Sequence, residues 1–189
     1  MHAPAALDPR VKRTRQLLYR AFMELLAEKG FEAITVGDIT SRSTLHRTTF
    51  YSHFTDKFAL LETMIGDDFQ AVLDTRLANA GNCQEGLRQL ILAVCDFFDK
   101  VASGCQKHQR QFEPIMETRI KAIVRDFLLQ GPLRETASDP DAHLRATMAS
   151  WSICGAALEW SRTKPNTTDA LAASMLPLVT HTLHGRQGN

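Results

Sequence analysis

The fourteen residues from Thr44 to Lys57, TLHRTTFYSHFTDK, gather side chains that donate and accept hydrogen bonds. Phe50 and Phe54 stand four apart, a spacing at which one helical face can bury both rings. That placement turns Arg47, Thr48, Thr49, Tyr51, Ser52 and His53 away from the core. Short hydroxyls and a guanidinium on an exposed helix suit the major groove of duplex DNA. Its floor carries base-edge donors, acceptors and thymine methyls, and its walls are phosphates. On this reading Arg47, Thr48, Thr49 and Ser52 face bases, and Tyr51 and His53 flank them toward the walls. Lys57, near the start of the following helix, adds its charge to free backbone N–H groups for a phosphate. Taken without the surrounding pattern, Tyr51 and His53 read as ordinary surface residues.

Other candidates for chemistry are weaker. His181 and His184 share a helical face, but a metal needs further ligands and none is apparent. A solvated helix end is expected there. Cys105 and His108, in the polar patch CQKHQRQ, read as surface. No Ser-His-Asp, H-E-x-x-H or phosphate-loop spacing occurs, so no catalytic residue, metal or cofactor is expected. Cys83, Cys95, Cys105 and Cys154 show no C-x-x-C spacing and read as free thiols of a reducing compartment. Arg10, Lys12, Arg13 and Arg15 form either a phosphate-binding arm or a solvated helix start.

The elements that must position these residues are helices. Apolar residues recur every three or four positions, and alternating β-branched runs are scarce. Asp8 caps a first helix with Pro9 in its first turn, and Gly30 ends it. Thr35 with Asp38 three residues on forms a capping-box-like start for a brief second helix ending near Ser43. A turn at Ser43, Thr44 and Leu45 leads into the polar helix, expected over 46–53. Thr55 or Asp56 caps a fourth helix that reaches about Ala78. Beyond it, Leu87 to Val101 make one apolar stripe. Gly104 and the polar patch separate that stripe from a helix starting at Pro114 and stopped by Gly131-Pro132. Asp139-Pro140 opens the next helix, and Lys164-Pro165 ends it. Thr167 or Thr168 caps the last, which Pro177 should kink and Gly185 close. A short helix, a tight turn and a second short helix make a helix-turn-helix.

Bulk composition agrees with an ordinary globular chain, 44% hydrophobic and 23% charged. Net charge is only +1, but residues 1–60 carry nine Lys/Arg against six Asp/Glu, and residues 61–189 thirteen against fifteen. A basic head on a slightly acidic body hints at a polyanion partner. The N-terminus shows no secretory pattern and no apolar run reaches membrane-spanning length, so a cytoplasmic protein without a membrane partner is expected.

The run from Arg13 to Ile65, above all GFEAITVGDI and TTFYSHFTDKFALL, resembles the N-terminal domain of the TetR family of bacterial transcription regulators. The resemblance covers residues 10 to 65 without an evident gap. It implies an all-α protein: a helix-turn-helix domain over 8–56, a linking helix over 57–78, and an effector-binding and dimerisation body over 79–186. It implies a homodimer paired through its last two helices, a double-stranded, approximately palindromic operator, and an unknown small-molecule effector that releases DNA. Repression is the commonest role in that family. Thr49, Tyr51, His53 and Lys57 match its DNA contacts, and Arg47, Thr48 and Ser52 its variable specificity positions. Thr35 matches a helix-start residue that often meets phosphate. The usual turn A-G-V-S is replaced by Ser43, Thr44, Leu45 and His46. Thr44 in place of glycine implies either a turn without positive φ or some strain. His46, in place of a Ser or Thr cap, either caps weakly or reaches DNA itself.

In the body, Phe97, Phe98, Met116, Phe127, Trp151 and Trp160 either line a cavity for an apolar or amphipathic effector or form plain core. Glu117, Arg119 and Glu159 are polar ligand contacts or surface charges. Ala149, Ser152, Gly155 and Ala156 let a helix approach a neighbour closely, in a dimer or within one chain. A helical protein-interaction adaptor and a small helical enzyme are the alternatives from other classes.

Overall fold

A computed structural model of the chain describes residues 8–78, 80–103, 106–134 and 140–184, without the side chains of 103 and 106–111. Gly104, Cys105, Asp139, Gly185 and the side chain of His108 lie outside the described residues. Among those described there are eight helices and no strand. They are α1 (Pro9–Lys29), α2 (Val36–Ser43), α3 (Arg47–Tyr51), α4 (Lys57–Leu77), α5 (Cys83–Ser103), α6 (Gln106–Gln130), α7 (Pro140–Thr163) and α8 (Thr168–His184). None is long and apolar enough to cross a membrane.

The chain divides into two compact units. The first runs up to Met64 and takes in Lys107–Phe112; the second takes the remainder. In the first, α1 packs on α2 and α2 meets α3. Leu18, Phe22, Phe31, Ile39, Phe50 and Leu60 are fully buried at its centre. Ring edges meet ring faces there, with Phe22 to Phe31 at 6.1 Å and Phe31 to Phe58 at 5.0 Å between centroids. In the second, α5 lies against both α7 and α8, which also touch each other. Its Leu90, Ile91, Ala93, Val94 and Cys95 have no exposed surface. Ala142, Ala146, Ala149 and Ala157 are equally enclosed on α7, and small side chains of this kind let helix axes come close.

Helix ends follow local chemistry. The Asp8 carboxylate accepts from Arg10 N–H at 2.8 Å, and Gly30, at φ 77°, receives the chain leaving α1. Thr35 and Asp38 cap each other reciprocally at the start of α2. Asp56 Oδ1 accepts from Ala59 N–H at 2.8 Å, and Thr167 Oγ1 from Ala170 N–H at 3.2 Å. The Lys164 turn has φ 42° and is closed by its N–H on the Trp160 carbonyl at 2.7 Å.

Two boundaries differ from the sequence reading. Pro114 lies inside α6 rather than at its start. A proline removes one ladder bond, while the Gln, Lys and Arg residues before it favour helix, so the helix extends back to Gln106. The polar helix is also shorter than 46–53. His46 occupies its N-cap and Ser52 its C-cap. The N–H groups of His53 and Phe54 both reach back to the Phe50 carbonyl at 2.9 Å, closing the last turn. α8 continues through Pro177.

Thr44 adopts φ 56°, ψ 30°, the left-handed region. A β-branched residue is strained there by roughly 1–2 kcal/mol. Thr44→Gly relieves that strain but adds freedom to the unfolded chain, so a net gain of about 0.5–1 kcal/mol is expected in denaturant unfolding. A loss of stability in that titration rules out strain at the turn.

Candidate nucleic-acid interface and body cavity

α3 has two unlike faces. Phe50 is fully buried and Phe54 is 4% exposed, with ring centroids 5.8 Å apart. Opposite them His46, Arg47, Thr48, Tyr51 and Ser52 are exposed, and Thr49 and His53 are half-buried. Tyr51 is 54% exposed and rests edge-on against Phe50 at 5.5 Å. The anchor is therefore directly beneath the exposed phenol. Ser52 donates to the Thr49 carbonyl at 2.7 Å, which leaves its oxygen free to accept. His46 makes no side-chain cap, so its imidazole is left outward at the N-terminus of α3.

Thr35 and Arg47 are brought together although twelve positions separate them. A Cβ built on Gly37 would meet Thr35 Oγ1 at 3.5 Å and Arg47 Nη2 at 3.9 Å. The start of α2 and the Arg47 side chain thus meet beside Gly37. Thr35 itself is engaged within α2, donating from its backbone N–H and its hydroxyl to Asp38 Oδ2 at 2.8 and 2.6 Å. The Lys29 ammonium and then Thr35 hold the Asp38 carboxyl well below the usual carboxylate range.

The cations of this unit fall into two sets. Arg42 is fixed to Glu28 by paired bonds of 2.7 and 2.8 Å and lies 3.4 Å from Glu24. Lys29 pairs with Asp38 at 2.8 Å. Arg15 is half-buried with its guanidinium 5.7 Å from the Phe54 ring centre. Against these, Arg10, Lys12, Arg13 and Arg47 are exposed. Among the described residues, no ion pair involves Arg47. The basic start of α1 therefore splits into three outward charges and one packing arginine.

Lys57 departs from the sequence reading. Its ammonium donates to the carbonyls of Phe31, Glu32 and Ile34, each at 3.0 Å, and sits 4.7 Å above the Phe31 ring. All three donors are directed at the turn after α1, so the charge ties α4 to that turn. Nothing in sequence spacing reports this, because the partners are 23 to 26 positions away. Lys57→Met is expected to remove about 1.5–3 kcal/mol of stability, as loss of charge-assisted hydrogen bonds does. If instead stability is unchanged and DNA binding loses about one unit of salt slope, Lys57 serves phosphate.

The six aromatic and methionine candidates of the body separate. Phe97, Phe98, Met116 and Trp160 are at most 7% exposed. They are core: Phe97 meets Phe69 edge-on at 5.5 Å, and the Trp160 indole N–H donates to the Asn166 carbonyl at 2.9 Å. Trp151 is 64% exposed, with the Lys121 ammonium 5.5 Å from its ring centre. Phe127 does line one. It borders about 290 Å³ between α4 and α6 with Gln70, Leu73, Leu77, Arg119 and Ile123. Gly66 lets Arg119 lie against α4, since a Cβ there would be 2.9 Å from the Arg119 Nε. Glu117 pairs with Lys121 at 2.8 Å. Ala149 faces the interior, whereas Ser152 and Gly155 face out beside Trp151. His181 and His184 are exposed in the last turn of α8, and no group of three metal-ligating side chains occurs among the described residues.

These features define a class: an all-helical chain whose N-terminal unit presents a helix-turn-helix. The model described as bacterial regulatory proteins, tetR family, matches residues 18–64. Over 69 residues the chain is 45% identical to the uncharacterized HTH-type transcriptional regulator YxbF of Bacillus subtilis (strain 168), covering 36% of this chain and 18% of that protein. Over 86 residues it is 31% identical to the HTH-type transcriptional regulator TcmR of Streptomyces glaucescens, covering 44% and 38%. The chain thus spans well under half the length of either relative. The fold as a whole is similar to a TetR transcriptional regulator from Streptococcus agalactiae 2603V, with TM-score 0.60, 22% identity, and 90% and 95% of the two chains covered. It is also similar to the TetR family repressor AlkX from Dietzia sp., with TM-score 0.53, 17% identity and 96% and 98% covered. The similarity to the tetR family model is thus carried by the N-terminal unit.

Proposed function

We propose that the protein is a dimeric DNA-binding transcriptional regulator, acting as a repressor, whose α3 reads an approximately palindromic operator and which releases DNA on binding a small molecule. The observation that carries this reading is the two-faced α3: rings locked into the core on one side, hydrogen-bonding groups and an exposed arginine on the other. Arg47, Thr48, Thr49 and Ser52 read base edges. Tyr51, His53 and His46 reach the groove walls, with Thr35 beside a phosphate at the start of α2. Lys57 acts from within, holding the base of α4.

The head of residues 8–56 reads DNA, helix 57–78 links it, and the body of 79–186 binds effector and partner. Leu144, Met148 and Trp151 recur at four and three positions on α7 and are 58%, 54% and 64% exposed; Leu178 on α8 is 70% exposed. An apolar stripe this open on the last two helices favours pairing with a second copy. Gly155, with nothing within 4 Å of an added Cβ, leaves room for a partner helix.

The effector site we favour is the α4–α6 cavity, whose Leu73, Leu77, Ile123 and Phe127 suit an amphipathic molecule and whose Arg119 and Gln70 orient it. Its wall is α4, the helix that begins at Lys57. A thermal-shift screen should find ligands that both raise the melting temperature and weaken DNA binding. Stabilising ligands that all leave DNA affinity untouched count against the coupling.

The direct test is operator affinity. Arg47→Ala and Tyr51→Ala should each cost about 1–3 kcal/mol of specific binding without unfolding the protein. Unchanged gel-shift titrations for both variants defeat the assignment of α3.

A further inference from the structure

A second cavity of about 390 Å³ opens in the second unit, where the start of α5, the turn after α6, α7 and the end of α8 converge. Its lining includes Cys83, Leu133, Arg134, Arg145, Leu183 and His184, and among the described lining residues none is acidic. Two guanidiniums and an imidazole thus border one opening whose other described lining is largely apolar. Arg134, His184 and Cys83 are exposed. Arg145 is half-buried and takes part in a further interaction within the protein. The volume is that of a small-molecule site.

We propose that this cavity binds a small organic anion bearing a carboxylate or phosphate on a short apolar frame. Arg134 supplies the charge-assisted hydrogen bonds that favour planar or tetrahedral oxyanions, and Arg145, engaged within the protein, borders the same cavity. His184 adds a donor, and Leu133 and Leu183 cover the carbon frame. The site is separate from the α4–α6 cavity and does not depend on α3 reading DNA.

Cys83 makes the cavity testable, because its thiol reports the local potential. Cys95 and Cys154 are buried, and burial pushes both thiols up to about 12, so they react slowly. Alkylation of Cys83 by iodoacetate, an anion, is compared with alkylation by neutral iodoacetamide on the full chain, with the site identified by peptide mass. The iodoacetate-to-iodoacetamide rate ratio should exceed that of free cysteine by about tenfold, as local attraction concentrates the anion. Arg134→Gln, at an exposed position, should reduce that excess several-fold while leaving the melting temperature unchanged, and His184→Gln should reduce it less. Succinate and glycerol phosphate at millimolar concentration then serve as probes. Protection by succinate alone identifies a carboxylate ligand, and by glycerol phosphate alone a phosphate ligand. A ratio equal to that of free cysteine, a ratio unaffected by Arg134→Gln, or protection by neither probe overturns the proposal.

Discussion

Phe50→Ala is expected to unfold most of the first unit. Phe50 is fully buried, packed edge-on to Tyr51 and 5.8 Å from Phe54. Truncating such a ring costs about 3–5 kcal/mol, the transfer term plus the cavity left behind. A unit of this size has a total stability of the same order. Hydrogen exchange at the amides of α1, α2 and α3 should therefore lose most of its protection, and DNA binding should disappear for every sequence. Phe50→Leu keeps most of the volume and should cost less than about 1.5 kcal/mol. That contrast separates Phe50, an anchor, from Tyr51, a proposed groove-wall contact: the Tyr51 variant should lose affinity with exchange protection intact. Protection retained in Phe50→Ala would mean that α3 is held by something other than its rings.

The second large effect is expected at the outer face of α7. Trp151→Glu places a carboxylate in the middle of the exposed stripe formed with Leu144, Met148 and Leu178. In a two-fold interface one substitution acts twice, and the two new charges face the same seam. Truncation of a central interface tryptophan alone costs about 2–4 kcal/mol. The dimer dissociation constant should therefore rise by at least about a hundredfold. Sedimentation should show a folded monomer with unchanged helix content, because Trp151 contributes little to the monomer core. Operator binding should fall to half-site affinity. A Trp151→Glu protein that still sediments as a dimer places the pairing surface elsewhere.

Much of the first unit was legible in the chain. The Thr35–Asp38 capping box, the Asp8 cap with Pro9, Gly30 as a stop and the Phe50–Phe54 anchor pair all depend on residues within four positions of one another. Their geometry is local, so spacing reveals it. The α3 boundary was less legible, because the closing bonds to the Phe50 carbonyl form where the chain turns Phe54 into the core. Thr44 was ambiguous for a similar reason: its composition allows several turns, and the fit of α2 to α3 selects the left-handed one.

In the body, helical periodicity marked apolar faces but not what they face. Phe97, Phe98, Met116 and Trp160 on the one hand and Trp151 on the other look alike in a helical pattern. The first four are enclosed by α5 and its neighbours, and the last is left outside. Small residues divided likewise, with Ala149 turned inward and Gly155 outward. His184 read as a solvated helix end, yet it borders a cavity with Arg134 and Arg145, residues of other elements.

By itself the amino-acid order determined that this chain is helical, where its first two helices start and stop, and which rings anchor the polar helix. These follow from backbone hydrogen bonding and from side chains on adjacent turns. Only the tertiary structure decided that the Lys57 ammonium turns to three carbonyls, that Trp151 lies open, and that two cavities form among distant residues. Partner choice across twenty or more positions is set by packing, where small differences in helix placement decide which polar atoms come within 3 Å.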